Sequence, residues 1–121
     1  MPSSDFQKII RDLSNISDKL EIKSAENEII FKCQGQYASA EIRRTESETN
    51  MRFLQKSTHI NDNINQGEFS LKNLIYFIKC TNLCNQIEIY LENDRPLIVK
   101  YNVASLGEIK LCLSPIQKNE L

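Results

Sequence analysis

An α+β fold, two helices packed on antiparallel sheet, is what this sequence predicts, and three observations predict it. Four apolar residues recur at one helical spacing in two separate stretches: Phe6, Ile9, Ile10 and Leu13, then Leu71, Leu74, Ile75 and Ile78. Each stretch is followed by strand-length runs separated by turn residues, so a helix-plus-meander unit occurs twice. In the second meander Ile87, Ile89 and Leu91 alternate with Glu88, Tyr90 and Glu92, the pattern of a sheet that is covered on one face and wet on the other. A chain of 121 residues holds one such domain with a real core.

The first helix has start signals at Pro2, Ser3 and Ser4 and runs through Ile16, with Lys8, Arg11, Asp12 and Asn15 on the face away from the apolar row. Strands are expected over residues 20–24, 29–33 and 37–44, separated by Glu26 and Asn27 and by Gly35. Residues 45–66 hold one strand-like run, at 51–56, followed by a polar, asparagine-rich segment. With few packing residues, that segment reads as a long, flexible insertion in a domain spanning residues 1–115. The second helix covers residues 70–79. Ser70 is its N-cap, Phe69 staples to Leu74, and Lys72, Asn73 and Lys79 line its outer face. No acidic residue occurs from 70 to 86, although the chain has 16 acids to 15 bases, so positive charge has been sorted onto this element. Strands over 86–92, 96–103 and 108–113 follow, with turns at Asn93, Asp94 and Gly107, and residues 116–121 form a tail.

A net charge of −1 argues against a generally adhesive nucleic-acid-binding surface, so any contact with DNA must come from local patches. The sequence has no apolar run of membrane-spanning length and no signal-peptide pattern, and a soluble intracellular protein without a membrane partner is the expectation. Cys33, Cys80, Cys84 and Cys112 lack metal-site spacing, and the only histidine, His59, lies in a polar segment; the cysteines read as reduced packing residues. No glycine-rich phosphate loop and no Ser-His, Cys-His or paired-carboxylate arrangement is present, so neither catalysis nor a cofactor is expected.

Four motifs identify a family. Met-Pro-Ser-Ser-Asp-Phe at 1–6, Arg-Asp-Leu-Ser at 11–14, Asp-Arg-Pro-Leu-Ile-Val at 94–99 and Leu-Ser-Pro at 113–115 together resemble the C-terminal half of proliferating cell nuclear antigen, the eukaryotic sliding-clamp family. The resemblance runs in order from Met1 to about Pro115 and implies a DNA-clamp (processivity) fold. In that family three subunits of two similar domains form a ring, helices line the channel, and DNA passes through without being read. On this resemblance Lys8, Arg11, Asn15, Lys72 and Lys79 fall on channel-facing positions, where spaced cations track phosphates without sequence preference.

The resemblance also implies two protein surfaces. Pro96, Cys112, Ser114 and Pro115 correspond to part of the wall of a pocket that receives short motifs of DNA polymerase and other clamp-binding proteins. Cys112 stands where an aromatic residue is usual, which puts partner specificity in question. Tyr37, Ala38, Ser39, Ala40, Glu41, Ile42 and Arg43 correspond to a strand at the subunit edge, which asks for a partner strand. A role in DNA replication and repair, double-stranded DNA, a clamp loader and ring self-association as partners, and a place in the nucleus or at a viral replication site follow from the family alone. The rival reading is an interaction module that keeps the clamp fold and docks partners without encircling DNA. Against the family pattern, the first domain, the interdomain connector and the strand before Met1 are missing from this sequence.

Overall fold

The computed structural model describes residues 1–25, 27–46 and 64–116. Its elements run α1 (Ser3–Ser14), β1 (Lys19–Ala25), β2 (Glu28–Gln34), β3 (Ser39–Thr45), β4 (Ile64–Ser70), α2 (Leu71–Phe77), a 3-10 helix (Ile78–Leu83), β5 (Ile87–Tyr90), β6 (Leu97–Val103) and β7 (Gly107–Leu113). All strand pairing is antiparallel, in a four-stranded sheet ordered β3-β2-β1-β4 and a three-stranded sheet ordered β5-β6-β7. The expected class, two helices on antiparallel sheet, is the observed one.

The helical spacing does what it predicts. Phe6, Ile9, Ile10 and Leu13 of α1 are buried, as are Leu71 and Leu74 of α2, and Ile78 is buried just beyond it. They join Leu20, Ile22 and Phe31 of the larger sheet and Leu97, Val99 and Tyr101 of the smaller one in a single core, with the Phe6 and Phe31 rings 6.4 Å apart. α2 touches β1 and β4 in one sheet and β7 in the other, so it seals the junction between them. Tyr101 is fully buried, and its hydroxyl donates to the Phe77 carbonyl at 2.9 Å. The pairing answers the otherwise costly burial of a phenol.

The ends of elements depart from expectation for local reasons. α1 stops at Ser14, with the Ile16 and Ser17 amides both turning back to the Leu13 carbonyl. Its N-cap is Pro2, because Ser3 is buried and gives its hydroxyl to the Cys84 carbonyl at 2.7 Å. Ser70 does cap α2, accepting from the Asn73 amide at 3.3 Å. The α-helix ends at Phe77 and tightens into the 3-10 turns, so Lys79 lies outside α2. β3 begins at Ser39, leaving Tyr37 and Ala38 in the preceding turn, and β5 ends at Tyr90.

β4 is the strand the sequence concealed. Its inward row is Asn65, Gly67 and Phe69, and only Phe69 is apolar, so no alternation marks it. A side chain at Gly67 would collide with the Phe69 ring; that ring lies over the glycine and fills the place of a second packing residue. Residues 64–66 therefore belong to a strand paired with β1 and not to the expected insertion. The strand-like run at 51–56, most of the insertion and all but Ile116 of the tail lie outside the described residues.

Candidate nucleic-acid interface and assembly edges

α1 packs beside α2 and the 3-10 helix, and each buries the face turned to the sheets. Their exposed faces therefore adjoin. Lys8 and Arg11 are exposed on α1, Asn15 just past its end, Lys72 on α2 and Lys79 on the 3-10 helix, together with Asp12 and Asn73. Among the described residues none of these four cations is engaged in an ion pair, whereas Arg43, Arg44, Arg95, Lys100 and Lys110 all are. The helical surface thus carries uncompensated positive charge in a chain that is slightly acidic overall. Sequence reasoning missed Tyr76, which is 64% exposed on the same face and lies under the Lys79 ammonium, 4.9 Å from ring centroid to Nζ. A cation three residues after an exposed aromatic on a helix was the available signal.

The sheets turn a different chemistry outward. Lys100 on β6 sits between Glu108 on β7, at 2.9 Å, and Glu88 on β5, at 3.6 Å, and Lys110 adds a further bridge to Glu108 at 3.3 Å. These pairs hold the Glu108 carboxyl below, and the Lys100 ammonium above, their ordinary values. The Tyr90 hydroxyl donates to Glu88 at 2.7 Å, and its ionisation is pushed upward by that bond. Balanced pairs of this kind neutralise the outer face of the three-stranded sheet, in contrast with the helices.

Pro96, Cys112 and Ser114 are exposed and Pro115 is half-buried. Leu97 pairs with Leu113 and Ile98 with Cys112, so all four residues gather at one end of the β6-β7 ladder. The chain then crosses to the other sheet, where the Ile116 amide donates to the Glu68 carbonyl of β4 at 2.7 Å. Cys112 is not the packing residue expected: it lies on the outer face of β7, while Cys33 is buried and Cys80 and Cys84 are half-buried. Among the described residues no group of His, Cys, Asp and Glu is placed to hold a metal, and no helix is long and apolar enough to cross a membrane.

β3 is an edge strand, paired with β2 alone among the described residues. Ser39, Glu41 and Arg43 are exposed on its outer face, Ala40 and Ile42 are half-buried against the core, and Tyr37 in the preceding turn is 93% exposed. Arg43 bridges Glu41 at 2.9 Å and Glu28 at 3.3 Å. Arg44, on the inner face, makes a two-pronged bond to Asp5 at the start of α1, at 2.9 and 3.1 Å. The carboxylate raises the Arg44 pKa further and braces the edge strand against the helix. Asp5 was not recognised in the sequence, because 39 residues separate it from its partner.

Known proteins resemble this chain in the same terms. Residues 1–116 match the family model described as proliferating cell nuclear antigen, C-terminal domain. A probable DNA polymerase sliding clamp of Acanthamoeba polyphaga mimivirus is 42% identical over 116 residues, covering 96% of this chain and 24% of the relative. A probable DNA polymerase sliding clamp 1 of Paramecium bursaria Chlorella virus 1 is 36% identical over 120 residues, covering 96% of this chain and 44% of the relative. The chain thus spans less than half the length of these relatives. Among solved structures, the proliferating cellular nuclear antigen of Entamoeba histolytica superposes with a TM-score of 0.79 at 20% identity, over 97% of this chain and 44% of that one. That likeness is one of fold.

Proposed function

This chain belongs to the family of proliferating cell nuclear antigen C-terminal domains, and from that membership we propose that it acts as a DNA sliding-clamp domain, a non-catalytic processivity factor for DNA polymerase. The observation that carries the reading is the sorting of charge. Lys8, Arg11, Lys72 and Lys79 stand without ion-pair partners among the described residues on the adjoining helical faces, while the outer face of the three-stranded sheet is internally neutralised. Such a surface attracts phosphates through weak, distributed contacts and offers no element shaped to read base edges. Asn15 contributes a neutral donor to the row. Tyr76 holds the Lys79 ammonium over its ring and supports its position on the surface.

The remaining assignments follow from the same reading. Residues 39–43 of β3, with Tyr37 and Ala38 before them, form the subunit edge of a ring, which in the family has three subunits. Pro96, Cys112, Ser114 and Pro115 form part of the wall that receives short motifs from DNA polymerase and other replication and repair proteins, and a clamp loader places the ring on DNA. Viral names among the relatives support a viral replication site in a host cell as the place of action, with the nucleus as the other location.

The test is the salt dependence of duplex binding by the assembled ring. Replacing Lys72 and Lys79 by alanine should leave the fold intact and reduce the slope of log K against log salt by roughly two, one for each phosphate contact removed. An unchanged slope would overturn the assignment. Retention on circular DNA with loss from linear ends marks encirclement; a module that only docks partners shows neither.

A further inference from the structure

The solvent face of an amphipathic helix is ordinarily polar, and an aromatic ring left open there does no work for the core. Tyr76 is such a ring. The core takes Leu71, Leu74 and Phe77 from α2 and Ile78 just beyond it, while Tyr76 stays 64% exposed. Lys72 and Asn73 lie one turn before it and Lys79 one turn after it, all three exposed. No acidic residue occurs from 70 to 86 to compensate the two lysines within this element. Of the other tyrosines, Tyr101 is buried, Tyr90 is bonded to Glu88, and Tyr37 lies in the turn before β3. Tyr76 alone among them is set between cations that have no ion-pair partner among the described residues.

We propose that Tyr76 is a stacking platform for an unpaired base, so that this helical face binds single-stranded DNA as well as tracking the phosphates of a duplex. The inference rests on the reading of the face as a DNA-contacting surface and adds a second form of DNA to it. Lys72 and Lys79 stand on either side of the ring, about 11 Å apart along the axis at α-helical and 3-10 rises. Two long side chains at that separation reach the phosphates on both sides of a nucleotide whose base lies on Tyr76. The Lys79 ammonium now covers one face of the ring, 4.9 Å from its centroid. Such a contact is weak at an exposed site. A phosphate draws the ammonium away into a charge-assisted hydrogen bond, and the base takes the face it leaves.

Duplex DNA offers the ring nothing comparable. Its bases are stacked on one another and turn only their edges to the grooves, and bringing one out costs both pairing and stacking. A single strand avoids most of that cost, and every base has a face, so the contact tolerates any sequence. The lysines therefore serve both forms of DNA, and the tyrosine serves only the form with free bases. Charge alone would favour the duplex, which carries the denser row of phosphates.

Titrations of the full chain at low salt test this with three short probes of equal length: oligothymidylate, a DNA duplex, and an abasic strand that keeps the phosphates but lacks the bases. Oligothymidylate should bind about tenfold more tightly than the abasic strand, the scale of one base stacked on an aromatic ring. Tyr76→Ala and Tyr76→Leu should each remove that advantage while leaving duplex affinity and the salt slope unchanged, and Tyr76→Phe should keep it. The chain has no tryptophan, so tyrosine emission reports the contact directly. Oligothymidylate should quench it, and Tyr76→Phe should abolish the quenching while preserving affinity. Failure to bind oligothymidylate, or equal affinity for it and the abasic strand, would overturn the inference. So would an equal loss of duplex and single-strand affinity in Tyr76→Ala, which would reduce the ring to a support for Lys79. The phosphate-tracking reading fails by a different result, duplex binding unmoved when Lys72 and Lys79 are both replaced by alanine. Circular dichroism of each variant separates lost binding from lost folding.

Discussion

Tyr101 concentrates the logic of this core in one side chain. It is the largest fully buried residue, and its hydroxyl holds the carbonyl of Phe77, the last residue of α2, where the helix tightens into 3-10 turns. Burial, and then the neighbouring Cys80 and Cys84, push its ionisation from 10.0 up to about 12. In the unfolded chain the phenol gives up its proton at the lower value, so the folded state binds the proton more tightly. Its contribution is complete below pH 10 and is lost as pH rises from there through about 12. Urea titrations over that window should show stability falling by roughly 1 kcal/mol per pH unit from this group. Tyr101→Phe should remove that component of the slope and cost about 1 kcal/mol at neutral pH through the lost hydrogen bond. An equally steep alkaline loss in the variant would show that another group is responsible.

At the scale of elements, strand runs straight into helix at Ser70, the last residue of β4 and the N-cap of α2. Its φ of −72° and ψ of 119° are still extended, and its hydroxyl takes the orphan amide of Asn73. With only seven residues, α2 has little propensity of its own to draw on, so the cap and the burial of Leu71, Leu74 and Phe77 hold it. Ser70→Ala should therefore cost about 1 kcal/mol in chemical denaturation, and Ser70→Asp much less, since aspartate caps as well. Equal losses for both would point to the strand position and not the cap. The cap was legible in the sequence because its signal is local. The strand preceding it was not, because the packing of Gly67 beneath Phe69 and its pairing with β1 depend on residues brought together by the fold.

At the scale of the whole molecule, two sheets of different size are joined by contacts that bridge one to the other. Asn93, in the turn between β5 and β6, binds the backbone of β4 on both sides of Asn65, and Ile116 reaches the same strand after β7. Asn93→Ala should leave the cooperative unfolding of the domain in place while speeding hydrogen exchange at the Gln66 amide about tenfold or more, because that donor loses its partner. Unchanged protection at Gln66 would mean that the edge is closed by some other contact. On the proposed reading the bridges matter to the partner surface, since they hold the end of the β6-β7 ladder, where Pro96, Cys112 and Ser114 gather, beside the larger sheet.

The sequence by itself determined the two helices, six of the seven described strands, the outward face of each helix and the family, because these rest on periodicity, turn residues and motifs that are written within short windows. The positive row was likewise legible, since helical spacing alone separates Lys8, Arg11, Lys72 and Lys79 from the apolar residues beside them. Only the tertiary structure decided the two-sheet arrangement, the hidden strand β4, the Arg44–Asp5 brace and the closure of the β4 edge by Asn93 and Ile116. Each of those depends on partners 27 to 51 residues apart or on which strand is left outermost, and no local pattern encodes such a meeting before the chain has packed.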